Sequence, residues 1–331
     1  MCTVIRMNSP DGFLLGKNND NFLHQGMLFS NRKGIRKQAL IAPPDTPLHW
    51  VSTYGGMSFS QCGKELPVGG MNEAGLVVEQ TTLPETRYPE YRGGAAVGEL
   101  QVIQYLLDTC ADVAEALQAL SEVEIRNPTW PLQYVLADGA GDMAIVEYLN
   151  GGMSVIRGER LRIKAVANSR YDKAMACRLE GTASFTDAYE ANSMQRFATA
   201  AELLESMDPN DATTVFSLLE RVKRPDTVWQ VVYDMNRRAI HLRTAGNARM
   251  KSLSVQSVDY RPEAVDMMLP LNHPSDGEGA WELTQYDRGM NRALVHGFFH
   301  NELVASVMGI SLPDAMLAFL SEYPDTLEPM A

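Results

Sequence analysis

Apolar and polar positions change rhythm several times along the chain. The stretches "TVIRM" and "GFLLGK" flank "NSPDG", whose Pro, Asp and Gly favour a turn, so the pattern predicts an opening hairpin. "LHWVSTYG" and "GLVVEQTTL" are β-branched and aromatic with glycines at their edges, and predict strands, with "PVGGMNEAG" as a glycine-rich turn between them. From Ala96 the period lengthens. Leu100, Ile103, Leu106 and Leu107, then Val113, Ala116, Leu117 and Leu120, recur at helical spacing, with Asp112 placed to cap a second helix. Strands return at "LQYVLAD" and "MAIVEYL" around a "DGAGD" turn, followed by "SVIRG" and "RIKAVANS". Helices are predicted at "YDKAMACRL", "ANSMQRFATAAELLESM" and "DATTVFSLLERV", and a further hairpin at "TVWQVVYDMNRRAIHLRT". The tail predicts two helices, "YDRGMNRALVHGFFHNELVASVMG" and "SLPDAMLAFLSEY", the second with Pro313 near its first turn.

Strand blocks alternating with groups of helices predict an α+β protein in layers, sheets packed together with helices outside. The expected organisation is one domain over residues 1–331. Residues 275–331 form a C-terminal helical appendage, reached through the loop "PSDGEG".

Charge narrows the function classes. The formal net charge of -12 repels nucleic acid and anionic membrane surfaces, so neither is an expected partner. No apolar run is long enough to span a bilayer, and the N-terminus lacks the basic and apolar regions of a secretory signal. A cytoplasmic, reducing location is expected, with Cys2, Cys62, Cys110 and Cys177 as free thiols, since no CxxC spacing occurs. His296 and His300 have helical spacing in "HGFFH", which lacks the glutamate of a zinc-protease helix. No metal site and no cofactor are expected.

Cys2 stands apart from the other thiols because only an initiator methionine precedes it. Methionine aminopeptidase removes an initiator methionine that precedes a small residue. The chain would then begin with a thiol, of reference pKa about 8.5, and a free α-amine, of about 7.7–8.0, on one residue. The amine can take the thiol proton and later return it to a leaving amine, so no histidine is required.

With "MCTVIRMNSPDGFLLGKNND" at its start, the chain resembles the choloylglycine hydrolase family of N-terminal nucleophile hydrolases, which includes bile salt hydrolases and penicillin V acylases. The matching residues are Cys2, Thr3, Asp11, Gly12, Gly16, Asn18 and Asp20. Further segments follow in the family's order: "GGMNEAGLVVE", "WPLQYVLADGAGDMAIVEY", "VANS", "NSMQRF" and "TVWQVVYD", so the resemblance spans roughly residues 1–245. It implies a four-layer αββα sandwich of two mainly antiparallel sheets. Its reaction is hydrolysis of non-peptide linear amide C–N bonds with an apolar acyl group.

Carried over by position, the resemblance makes Cys2 the nucleophile and Asp20 the acceptor that orients its amine or thiol. Asn168 donates its side-chain N–H to the developing oxyanion, Asn72 lies beside the same hole, and Arg196 supplies positive charge near the thiol. Lys17 stands where the family has arginine, which keeps the charge and loses the planar fork. Phe22, Leu23, Met27, Phe59, Trp130 and Tyr134 are candidates for the apolar substrate pocket. A general acylase like the penicillin V acylases is expected, with a bile salt hydrolase or an N-acyl homoserine lactone acylase as the alternatives. An acyltransferase or secernin-like relative, and a non-catalytic scaffold binding a small ligand, are the other readings. The resemblance also leads us to expect a homo-oligomer, dimer or tetramer.

Overall fold

The opening hairpin forms as the pattern predicts. In the computed structural model, β1 (Cys2–Ser9) pairs with β2 (Gly12–Asp20) in a register that sets Cys2 opposite Asn19 and Thr3 opposite Asn18. The structure describes residues 1–126, 129–180, 187–207, 211–271 and 282–330. The "PSDGEG" loop lies outside them.

The hairpin is the centre of a six-stranded sheet. Ala165–Val166 pairs with the outer edge of β1, while Thr227–Asp234, Ala239–Thr244 and Asn247–Ser254 extend from β2. A second, nine-stranded sheet is ordered Gly152–Arg157, Met143–Leu149, Leu132–Ala137, Val77–Thr82, Gly69–Asn72, Gly56–Ser60, Met27–Asn31, Met267–Pro270 and Thr284–Gln285. Every pairing given within these two sheets is antiparallel.

The helices are α1 (Gln101–Thr109), α2 (Val113–Glu122), α3 (Tyr171–Glu180), α4 (Ala188–Ser206), α5 (Ala212–Arg221), α6 (Arg288–Phe299), α7 (Glu302–Met308) and α8 (Asp314–Glu322). Two apolar cores explain the layering, because side chains alternate across each strand. Val77 and Val135 face the first sheet and share a core with Val4, Val231, and Phe197 and Phe216 of α4 and α5. Their neighbours Val78 and Tyr134 face the other way, against Ile103 and Leu106 of α1 and Val113 of α2. The result is helix, sheet, sheet, helix: the αββα sandwich.

Gly16 shows how closely the outer helix approaches. A Cβ there would sit 2.6 Å from Val215 Cγ1 of α5, so only glycine lets the helix rest on β2.

Four predicted elements come out differently. Ala96–Val97 is a short strand paired in parallel with Glu124–Ile125, and helix begins only at Gln101. Gly69–Asn72, read as turn, is a strand, and the turn is Glu73–Gly75. The strand at "RIKAVANS" contracts to Ala165–Val166, because the next backbone N–H groups go elsewhere: Asn168 N donates to Ser193 Oγ of α4 at 2.8 Å. The long tail helix divides at His300–Asn301, where Asn301 Oδ1 accepts from Leu303 N at 2.9 Å and starts α7 as a cap. Asp112 does cap α2, accepting from Glu115 N at 2.9 Å. Among the described residues no helix is long and apolar enough to cross a membrane.

Candidate active site

Cys2 begins β1 and lines a cavity that holds about 120 Å³. It is 4% exposed. Met1 is present, so Cys2 N is a peptide nitrogen occupying the place of the α-amine of a processed chain. It donates to Asn168 Oδ1 at 2.9 Å. The sulfur lies 3.9 Å from Oδ1 of Asn19, its in-register partner.

Arg196 of α4 ties these groups together from the helix side of the sheet. Its Nη1 donates to Cys2 O at 2.7 Å and to Thr3 Oγ1, its Nη2 to Asn168 Oδ1 at 2.8 Å, and its Nε to Asn192 Oδ1 at 2.9 Å. Burial lowers the pKa of this guanidinium, and the charge of Asp20 pulls it back. Asp20 Oδ1 accepts from Thr227 Oγ1 at 2.6 Å. Its Oδ2 is buried without a hydrogen-bond partner among the described residues, 4.0 Å from Arg196 and 3.8 Å from Arg224. Burial raises the Asp20 carboxyl, while the Thr227 hydrogen bond and Arg196 oppose the rise. The β2 strand and its neighbour position this carboxylate one residue beyond Asn19.

The structure therefore gathers Cys2, Asp20, Asn168 and Arg196. It changes the part expected of Asn168. The Nδ2 group donates to Thr82 O at 2.9 Å, and Oδ1 takes the two donors already named, so this side chain orients the residue 2 nitrogen.

Asn72 is not part of the site. Its Nδ2 donates to Leu107 O at 2.9 Å and Cys110 O at 2.7 Å, and its Oδ1 accepts from Ala74 N and Leu76 N. The side chain closes its own turn and satisfies carbonyls at the end of α1, whose last turn has no internal donors for them.

Lys17 also points elsewhere. β2 alternation turns it between the sheets, where Nζ donates to Glu79 Oε2 at 2.5 Å and Val68 O at 3.1 Å, and Tyr233 Oη donates to Glu79 Oε1. Burial raises the Glu79 carboxyl, and the Lys17 ammonium pulls it down. Removing one partner of such a pair strands the other. Lys17→Met should destabilise the fold by about 3–5 kcal/mol, and Lys17→Met/Glu79→Gln should recover much of that loss. Denaturant titration measures both; a fall in kcat with unchanged stability would instead place Lys17 at the reaction.

Of the apolar candidates, Phe22 and Trp130 line the cavity. Leu23 packs just behind it with Cys62, Phe298 and Val304. Met27 belongs to a separate cluster with Phe29, Met268 and Leu294. Phe59 stacks on Trp229 deep in the core between the sheets, and Tyr134 packs against Tyr148 with its hydroxyl donating to Glu99 O at 2.8 Å. Neither lines the cavity, because their strands turn these faces into core.

Sequence reasoning missed Asn19, Gln80 and Thr82, and the aromatic end of α6, all of which line the cavity. Asn19 Nδ2 and Gln80 Oε1 are buried without hydrogen-bond partners among the described residues. The signal for Asn19 was present, since a hairpin centred on Ser9–Gly12 puts residue 19 opposite residue 2.

Known proteins resemble this chain in sequence and in fold. The family model described as acyl-coenzyme A:6-aminopenicillanic acid acyl-transferase matches residues 7–249. Penicillin V acylase of Pectobacterium atrosepticum is 23% identical over 269 residues, covering 65% of this chain and 70% of that protein. The solved penicillin V acylase of Agrobacterium tumefaciens superposes with a TM-score of 0.70 at 22% identity, over 87% of this chain and 98% of that one. A variant of the conjugated bile acid hydrolase of Clostridium perfringens gives 0.65 at 16% identity, over 87% and 97%. Both superpositions show that this chain shares their fold. The chain belongs to the acyl-coenzyme A:6-aminopenicillanic acid acyl-transferase family, whose model spans most of its length.

Proposed function

We propose that the protein is a cysteine amidohydrolase that cleaves linear, non-peptide amides bearing an apolar acyl group, after removal of Met1. The observation that carries this reading is Cys2. Its sulfur faces an apolar cavity, and its nitrogen sits on Asn168 Oδ1 with Arg196 and Asp20 beside it.

In the processed chain the Cys2 α-amine accepts the thiol proton, and the sulfur attacks the substrate carbonyl carbon. Asn168 Oδ1 holds that amine, and the buried Asp20 carboxylate, which lies beside Arg196 and Arg224, adds negative charge near the ammonium that forms. The negative charge passes to the carbonyl oxygen. The Asn19 side chain lies beside the sulfur through Oδ1, and its Nδ2 is a buried, uncommitted donor that can take that charge. Collapse breaks the C–N bond, the α-ammonium returns its proton to the leaving amine, and a thioester remains on Cys2. Water, deprotonated by the same amine, releases the acid. Phe22, Trp130 and Leu132 offer the acyl group an apolar surface.

The family description favours one further outcome, transfer of the acyl group from the thioester to an amine in place of water. A single experiment separates these. Protein whose intact mass shows Met1 absent is mixed with phenoxyacetyl and alkanoyl amides, with and without added amines. Hydrolysis with a transient acyl adduct on residue 2 is expected. Amide products only in the presence of acceptor would mark an acyltransferase, and no adduct and no product would remove both readings. Substrate identity, cytoplasmic location and assembly as a homo-oligomer are parts of the same proposal; product mass tests the first, cell fractionation the second and sedimentation the third.

A further inference from the structure

The groups around the sulfur come from the first 227 residues, but the far wall of the cavity comes from the other end of the chain. Phe298 and Phe299 end α6, Met308 ends α7, and Ile310 follows; all four line the cavity that contains Cys2. The region matched by the family model stops at residue 249, so this wall lies beyond it.

The two helices are held differently. α6 is fixed to the loop that forms the adjacent wall. Asn291 Oδ1 accepts from Lys64 N at 2.8 Å and its Nδ2 donates to Ser321 O at 3.0 Å, while Gln25 Nε2 donates to both Leu294 O at 2.9 Å and Gln61 O at 2.6 Å. Gln61 and Cys62 of that loop also line the cavity. α7 is anchored by Val304, fully buried among Leu23, Cys62 and Phe298, whereas Leu303 and Val307 on its other face are 53% and 66% exposed. It ends at Gly309, in the left-handed conformation with φ 65°.

We propose that this C-terminal wall selects the acyl group, with Phe299 and Met308 setting how far an apolar chain can extend from the Cys2 sulfur. The inference rests on the amidohydrolase reading. The cavity holds about 120 Å³. An engineered protein cavity of about 150 Å³ accommodates benzene. This inner part of the open cavity, still lined by Met1, thus has the size of one ring or a short alkyl chain, and a longer acyl group meets the C-terminal wall. The selecting residues are side chains rather than backbone, so the limit can be shifted without disturbing the sheet that carries Cys2.

The test uses a series of straight-chain N-acyl amides, butanoyl to dodecanoyl, with one common amine. Each buried methylene contributes roughly a three- to fourfold factor to kcat/KM. Phe299→Ala and Met308→Ala should raise the decanoyl-to-hexanoyl ratio by about tenfold, and Met308→Trp should lower it by a similar factor. Leu303→Ala, on the exposed face of α7, should leave the ratio unchanged, and Met308→Leu serves where an alanine variant fails to fold. Wild-type hydrolysis with the same ratio in every folded wall variant overturns the inference and leaves the amidohydrolase reading standing. Failure of the Met1-free wild type to cleave any member of the series overturns that reading and the inference with it.

Discussion

Cys2→Ala should abolish turnover, with a loss of at least about 10⁴-fold in kcat, in line with removal of a nucleophile elsewhere. The fold should not suffer. Cys2 touches solvent at only 4% of its surface, but the sulfur makes one long contact and carries little of the packing. A wild-type chain that keeps Met1 should be as inactive as the alanine variant, for a different reason. Its residue 2 nitrogen is an amide, which has no lone pair available to accept the thiol proton, and Met1 itself lines the cavity. Intact mass paired with initial rates checks both statements. Activity in the alanine variant within tenfold of wild type would end the nucleophile assignment, and activity in a population shown to be wholly unprocessed would end the role of the α-amine.

Arg196→Lys should lower kcat by about 10²-fold while moving KM little. The guanidinium uses its planar fork on Cys2 O, Thr3 Oγ1 and Asn168 Oδ1 together, and its Nε reaches Asn192. A lysine ammonium is a point charge on a flexible stem and cannot reproduce that set. Arg196 is absent from the cavity lining, so ground-state binding should survive. Arg196→Met is the harsher change: the buried Asp20 carboxylate keeps Arg224 at 3.8 Å but loses its second cation, and Cys2 O, Thr3 Oγ1 and Asn168 Oδ1 lose a shared donor, costing about 3–5 kcal/mol of stability. Steady-state kinetics and thermal melts read the two effects separately. A lysine variant with wild-type kcat would show that charge alone suffices.

The parts of this fold that could be read in advance are those fixed by local rules. The opening hairpin follows from a turn signal between two apolar runs, and its register places Asn19 as firmly as it places Cys2. The helices of the central region follow from 3.6-residue spacing and from caps such as Asp112. The failures have a common physical origin. Asn72 and Lys17 have the right residue types near the right motif, but which partner a buried polar side chain takes depends on what packs across from it. For Asn72 that is the end of α1, and for Lys17 it is Glu79 on the facing sheet. Phe59 and Tyr134 were misplaced for the same reason, since alternation tells that a side chain is buried but not which side of the sheet holds the cavity. The wall from α6 and α7 had no local signal at all, because it depends on a contact between positions near 22 and near 299.

That last contact also has a consequence in time. A ribosome releases the nucleophile first and the wall that closes over it last. Until residues near 298–310 emerge, the strand bearing Met1 and Cys2 has no far wall, and aminopeptidase can reach an extended N-terminus. Once the tail has docked, Cys2 is enclosed and Met1 is pinned, its ammonium donating to Asp20 O at 3.1 Å and its sulfur facing Arg196. An aminopeptidase should therefore remove Met1 more slowly from the folded protein than from the denatured chain, and intact mass over time in both states checks this.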